Sequence, residues 1–350
     1  MFTENNAHFF LGANTPKGFF SLYDNLNVPR SHDLLYIIKG GPGCGKSTFM
    51  KNMAGAAAGG VEYIHCSGDP DSLDAVVLKN HRLAYVDGTA PHVLEPVLPA
   101  VTEQYLNFGA CYDMAAAREQ KSSISRANLE YKELYKKAYH LISAAGEIHS
   151  ALLSAAETPQ FLEKAEKRAR GMIRREVPHR SKGTGERCLR FLGGLTCKGE
   201  ITLWETVTEN YSKVFQLMDN FGLSHTLLSP IAAAFEKAGC RIIVCPCHYD
   251  PQRIRHLLVP ELSIAFVTST TSDPFPGKAY RRIRVDAMGD TSSPAMRRMR
   301  RELRQLTDAA ADALRDAKAA HDALEELYHP CVNFAAVDAI TAAHISALRE

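Results

Sequence analysis

The stretch Gly40-Gly41-Pro42-Gly43-Cys44-Gly45-Lys46-Ser47-Thr48 constrains this chain more than any other. It matches the pattern G-x-x-x-x-G-K-[ST] without a mismatch. An apolar run, Leu34-Leu35-Tyr36-Ile37-Ile38, leads in, and a helix-compatible run from Ser47 to about Ala58 leads out. Strand, glycine-rich loop and helix in that order make a phosphate cradle. The glycines let successive backbone N–H groups curl around an anion, and the helix N-terminus adds partial positive charge. The expectation is a nucleoside triphosphate site built from Gly41, Pro42, Gly43, Cys44, Gly45, Lys46, Ser47 and Thr48. Lys46 is expected to reach the β- and γ-phosphates, and Ser47 to place its hydroxyl on Mg²⁺.

A second Mg²⁺ contact is expected from Asp87, which closes the apolar run Leu83-Ala84-Tyr85-Val86; a surface aspartate ending a strand is the plainer alternative. Gly88 stands where many ATP-driven motors carry a water-activating glutamate, which favours a slow switch or a transferase. Asp69, Asp71 and Asp74 follow the second expected strand, where ligands collect in open α/β sheets. Asp69 is kept as a candidate to position water or an acceptor hydroxyl. The competing reading makes these residues a helix N-cap around Pro70. His92 could sense a γ-phosphate but reads more simply as a loop histidine. No Asn-Lys-x-Asp occurs, which favours ATP over GTP.

The chain repeats itself. His8-Phe9-Phe10-Leu11-Gly12-Ala13-Asn14-Thr15-Pro16-Lys17-Gly18 is matched by Leu189-Arg190-Phe191-Leu192-Gly193-Gly194-Leu195-Thr196-Cys197-Lys198-Gly199. Cys66-Ser67-Gly68-Asp69-Pro70 is echoed by Cys247-His248-Tyr249-Asp250-Pro251, and Leu83-Ala84-Tyr85-Val86 by Ile264-Ala265-Phe266-Val267. Three islands in one order mean an internal duplication. Opposite the glycine-rich loop the second copy has Asp219 for Gly40, Ser224 for Gly45 and His225 for Lys46, while Gly222 keeps the place of Gly43. Asp87 faces Thr268. An aspartate repels phosphate, and Ser229-Pro230 reads as a late helix start by the cap-plus-proline rule. The second site is therefore read as dead.

Each copy reads as a parallel α/β unit, the first with strands near 34–39, 61–66 and 82–87 separated by helices. Long helical segments follow, from about Arg118 to Ala156, again from Thr158-Pro159, and from Ser293-Pro294 onward. Their apolar stripes read as intramolecular bundle core. Arg180 to Glu186 is the expected linker. With 350 residues and a net charge of +2, nothing global demands nucleic acid or an anionic membrane. No bilayer-length apolar run and no export signal are visible, so nine scattered cysteines read as reduced thiols in a cytoplasmic protein. Cys240, Cys245, Cys247 and His248 lack closed zinc-site spacing. Two arginine-rich stretches, around Lys164 to Arg190 and Lys278 to Arg304, read as solvated faces; Arg297, Arg300, Arg301 and Arg304 share one helical face and could meet an acidic ligand.

With these motifs in hand, including Thr15-Pro16-Lys17-Gly18-Phe19, His65-Cys66-Ser67-Gly68-Asp69-Pro70-Asp71-Ser72-Leu73-Asp74 and Val86-Asp87-Gly88-Thr89-Ala90-Pro91-His92, nearly the whole chain resembles a bacterial family of tandem P-loop proteins labelled ATPase or nucleotide-binding. The resemblance implies two P-loop-type domains with helical appendages. Relatives commonly keep a P-loop in the second half, and this chain departs there between Asp219 and Thr226. The combined expectation is an α/β chain of two tandem P-loop NTPase-like three-layer α/β/α units, each followed by long helices. Residues 1–112 would form the nucleotide-binding unit, 113–180 a helical segment, 187–290 the degenerate unit and 291–350 the C-terminal helices. The expected activity is slow hydrolysis of Mg²⁺-bound ATP in the first repeat. A kinase acting on a small-molecule acceptor and a nucleic-acid-binding module are the alternatives; a small-molecule or protein partner is left unidentified, and a membrane is not expected.

Overall fold

The computed structural model describes residues 5–26, 32–91, 93–179 and 183–349. His92 and the Arg180–Lys182 part of the expected linker lie outside them. In chain order the first repeat carries strand β1 (Ala7–Phe10), a hairpin of β2 (Gly12–Thr15) and β3 (Gly18–Ser21), then β4 (Leu34–Lys39) and helix α1 (Lys46–Ala56). Next come β5 (Val61–His65), β6 (Leu73–Leu78), β7 (Leu83–Asp87) and β8 (Glu103–Asn107), then helices α2 (Met114–Glu119), α3 (Lys121–Ala156) and α4 (Pro159–Glu176). The second repeat follows with β9 (Arg187–Leu189), the hairpin β10 (Gly193–Thr196) and β11 (Gly199–Thr202), helix α5 (Glu205–Asn210), β12 (Lys213–Met218) and α6 (Ser224–Lys237). It ends with β13 (Ile242–Pro246), β14 (Ile254–Val259), β15 (Ile264–Ser269), β16 (Arg281–Arg284), α7 (Pro294–Tyr328) and α8 (Phe334–Arg349).

The two six-stranded sheets have one strand order: β1-β5-β6-β7-β4-β8 in the first and β9-β13-β14-β15-β12-β16 in the second. Such agreement in order and in hydrogen-bonding sense is the structural form of the sequence duplication. The sheets are mixed, not parallel. The segment after the second strand, expected as helix, is strand β6, antiparallel to β5 and β7. All six of its residues are buried, so Leu73-Asp74-Ala75-Val76-Val77-Leu78 shows no alternation to announce it. The helix N-cap reading around Pro70 falls with that helix: Asp74 lies inside the strand and accepts a hydrogen bond from Tyr23 Oη at 2.9 Å.

The late start expected for the second helix is also corrected. Helix α6 begins at Ser224 and carries Pro230 in its interior. The buried Asp219 carboxylate accepts the Phe221 and Ser224 N–H groups at 3.0 and 2.6 Å, and so supplies the helix start from upstream. A satisfied first-turn donor stabilises a helix end, which offsets a proline nearly two turns later.

Side-chain alternation along the strands gives each sheet two apolar faces. On the outer face of the first, Ile38, Val76 and Tyr85 pack with Phe49 and Met53 of α1 and Val337 of α8. On the outer face of the second, Phe215, Leu257 and Phe266 pack with α6 and with Phe161, Ala165 and Met172 of α4. Each repeat thus sends its last helix to the other's sheet. The inner faces, with Leu35, Ile37 and Val86 from one sheet and Val214, Cys245 and Val267 from the other, share one core, filled in by Leu22–Leu26 and Leu203–Tyr211. The second helical layer expected on each unit is therefore replaced by the other repeat.

Equivalent residues meet at the centre. Phe10 and Phe191 each donate their N–H to the other's carbonyl, at 2.8 and 2.9 Å, as a local two-fold axis requires. Beside them Arg190 Nε donates to Glu62 Oε1 at 2.6 Å, with both side chains under 5% exposed. The solvated reading of the first basic stretch does not hold for Arg190. Helices α3 and α7 run antiparallel along the molecule: Tyr131 near the start of α3 meets His321 near the end of α7, and Ala138 and Ile142 pack on Ala310 and Leu314 between. Small residues at the contact let the backbones approach. Among the described residues no helix is long and apolar enough to cross a membrane.

Candidate functional site at the first glycine-rich loop

The loop lies between β4 and α1, at the carboxyl end of a strand flanked by two parallel neighbours, β7 and β8. Gly43 and Gly45 adopt φ of +71° and +86°, a region costly for other residues, and this turns the loop over the helix start. Space is as tight as conformation. A Cβ on Gly40 would lie 2.7 Å from Cys44 Sγ, and one on Gly41 would lie 2.9 Å from Tyr112 Oη. Tyr112 Oη also donates to the Pro42 carbonyl at 2.7 Å, pinning the outer edge of the loop. Cys44 is buried, and burial pushes its thiol above the ordinary value, so it is a packing residue rather than a nucleophile.

Lys46 Nζ curls back over the loop and donates to the Gly40 and Gly41 carbonyls at 2.8 and 2.9 Å. The register that pairs Ile38 with Asp87 brings Asp87 Oδ2 to 3.5 Å from the same nitrogen. Asp87 Oδ1 accepts from the Thr89 N–H and hydroxyl, at 2.9 and 2.6 Å, so its rotamer is fixed. Ser47 Oγ accepts the Leu73 N–H at 3.0 Å, which aims its hydroxyl proton elsewhere. Lysine, serine and aspartate thus surround one loop, as two separate motifs in the sequence imply.

One contact was not legible in the motif. Glu325, on α7 of the second repeat, accepts the Gly43 N–H with Oε1 at 2.9 Å. A Cβ on Gly43 would lie 3.0 Å from the Glu325 carbonyl oxygen and from His329 Cδ2. The Gly43 N–H is thus a donor directed at a carboxylate oxygen, the kind of bond an anion's oxygen atom would accept. Nothing local in the sequence signals this, because 282 residues separate the partners.

Asp69 is not among the partners of Lys46. Its carboxylate accepts the Asp71 N–H and the Ser72 hydroxyl, at 3.3 and 2.8 Å, and lies 3.6 Å from Lys318 Nζ. Asp250 makes the same turn in the second repeat, accepting the Gln252 N–H at 3.1 Å. Recurrence in the repeat whose loop carries His225 in place of Lys46 marks a turn-forming role. Asp71 pairs with Lys198 across the repeats at 2.6 Å. Gly88 has a steric explanation: a Cβ there would fall 2.3 Å from Ile37 Cγ2, so any side chain at this position would have to displace Ile37.

The second loop differs in each respect the substitutions imply. Asp219 fills it from within, and its carboxylate takes the Ser224 hydroxyl as well as the two N–H groups. His225 Nδ1 accepts the Ile254 N–H at 3.0 Å, so the ring is spent on β14. Among the described residues the cysteines at 240, 245 and 247 do not gather with His248 into a ligand set; the acidic and histidine side chains that do cluster are His321, Asp322 and Glu325 on α7. Comparison with known protein families, with curated proteins and with solved structures finds no match for this chain.

Proposed function

We propose that the first repeat is a P-loop NTPase site that binds Mg²⁺-ATP and hydrolyses it slowly, with the second repeat serving as its scaffold or regulator. The observation that carries the reading is the loop itself. Two left-handed glycines, a helix start and Lys46 within 3.5 Å of Asp87 make an anion cradle that already holds a carboxylate oxygen on the Gly43 N–H. In this reading Glu325 leaves the Gly43 N–H and phosphate oxygens replace it. Lys46 exchanges two neutral carbonyl acceptors for charged oxygens, a stronger bond. The hard oxygens of Ser47 and Asp87 suit Mg²⁺, which would supply charge neutralisation for the phosphoryl group. Lys46 then stabilises charge that develops at the β–γ bridge. No glutamate follows Asp87, which is why the turnover assigned is slow.

The kinase alternative is less well supported, since the Asp69 carboxylate is committed to its own turn. The nucleic-acid alternative loses Arg190 to the core. Equilibrium binding of Mg²⁺-ATP tests the reading: Lys46→Ala is expected to abolish it and His225→Ala to leave it intact. Equal losses would refute it.

A further inference from the structure

A cavity of about 370 Å³ opens at the carboxyl ends of β12 and β15, bounded by the second loop, the start of β14, His149 of α3 and the stretch of α7 from Arg300 to Asp308. That size is at the small end of the roughly 300–1,000 Å³ typical of ligand pockets. The loop there offers no anion nest, because Asp219 occupies it. The Asp219 carboxylate is part of the lining, but it is turned onto the Phe221 and Ser224 N–H groups and the Ser224 hydroxyl, and most other charges around the cavity are paired. Arg255 pairs with Glu200 at 2.7 Å, Arg253 with Glu157 at 2.6 Å, and Lys198 with Asp71 at 2.6 Å.

Two arginines one helical turn apart remain. Arg300 Nη2 donates to Thr271 Oγ1 and Asn220 Oδ1, at 2.6 and 3.2 Å. Both acceptors are neutral and Arg300 makes no ion pair; the guanidinium is held in place over the Phe221 ring, at 5.8 Å, and its charge meets the Asp286 carboxyl only at longer range. Arg304 lies 3.8 Å from Asp308 and is largely exposed, a loose contact of little energetic weight. A planar fork fixed by neutral partners suits a dianionic group such as phosphate. The wall beside it is rich in hydroxyls, with Thr270, Thr271, Ser272 and Thr307 among the lining residues. In the first repeat Gly68 takes the position of Tyr249, and Tyr135 Oη lies 2.5 Å from where a Cβ on Gly68 would be.

We propose that this cavity is a second, distinct ligand site, taking a hydroxylated phosphate monoester of sugar-phosphate size through Arg300 and Arg304. It does not depend on the nucleotide reading of the first loop. Calorimetric titration with ribose 5-phosphate, and with inorganic phosphate as the anion alone, tests it on the full chain. Wild type and Lys46→Ala are expected to bind ribose 5-phosphate equally. Arg300→Gln/Arg304→Gln, its fold checked by circular dichroism, is expected to bind about tenfold or more weakly, as loss of charge-assisted hydrogen bonds implies. Arg304→Gln alone, which alters an exposed side chain, is expected to weaken binding severalfold. Inorganic phosphate is expected to bind more weakly than the sugar phosphate. The assignment is overturned by absence of ribose 5-phosphate binding, by its loss in Lys46→Ala, or by unchanged affinity in the arginine variants. Equal affinity for the two probes would overturn the hydroxyl contacts.

Discussion

Replacing Glu325 with glutamine is expected to tighten ATP binding, although the residue lies 282 positions from the loop it touches. Its carboxylate holds the Gly43 N–H at 2.9 Å, a donor that a nucleotide phosphate must take over. A hydrogen bond to a charged group is worth about 1.5–3 kcal/mol, and the half-buried setting of Glu325 argues for the lower end. Glutamine keeps the shape, removes the charge and leaves a weaker acceptor. Since about 1.4 kcal/mol is a factor of ten, Glu325→Gln is expected to bind Mg²⁺-ATP about tenfold more tightly. Calorimetry on the two proteins at one ionic strength measures the difference. Unchanged or weaker binding in Glu325→Gln would show that the carboxylate does not compete with phosphate, and the argument from the occupied donor would fail.

Further outcomes follow from the core and from the buried ionisable groups. Burial alone would raise the Glu62 carboxyl, but the Arg190 guanidinium, helped by Lys79, holds it below its ordinary 4.5; its stabilising effect is present above that value and lost as pH falls through the lowered one. Arg190→Met is expected to cost about 3–5 kcal/mol by leaving Glu62 buried and unpaired, whereas Arg190→Met/Glu62→Leu should cost less; equal losses in chemical denaturation would contradict this. Burial, aided by Arg255, pushes the His149 imidazole down to about 4 from an ordinary 6.5, so stability is expected to decline as pH falls between those values. Denaturation midpoints across that window should fall less steeply in His149→Gln, with the remaining slope left by His248, which burial also holds down to about 4; an unaltered slope would discount the residue. Gly88→Ala is expected to cost about 1–3 kcal/mol by overpacking against Ile37, with a melting temperature unchanged from wild type as the contrary result.

How much of this was readable depends on whether the signal is local. The glycine-rich loop, the Asp87 strand end and the Thr158 and Ser293 caps are each written within a few residues, and each element forms where the local chemistry places it. Strand β6 was missed because burial on both faces erases the two-residue period. The start of α6 was missed because Asp219 caps it from five residues upstream, in competition with a Ser-Pro signal. Arg190 and Glu62 look like surface residues in any local window, and only the two-fold meeting of the repeats buries them. The same limit hid Glu325, whose place at the loop is set by the antiparallel pairing of α3 and α7. As for the site, the lysine, serine and aspartate were legible in the sequence; the groups that oppose them come from the far repeat.

The central claim is one nucleotide site per chain, in the first repeat. The stoichiometry of Mg²⁺-ATP binding by calorimetry tests it most directly. One equivalent per wild-type chain and none in Lys46→Ala is the predicted result. Two equivalents, or one that survives Lys46→Ala, would place ATP in the second repeat and contradict the account.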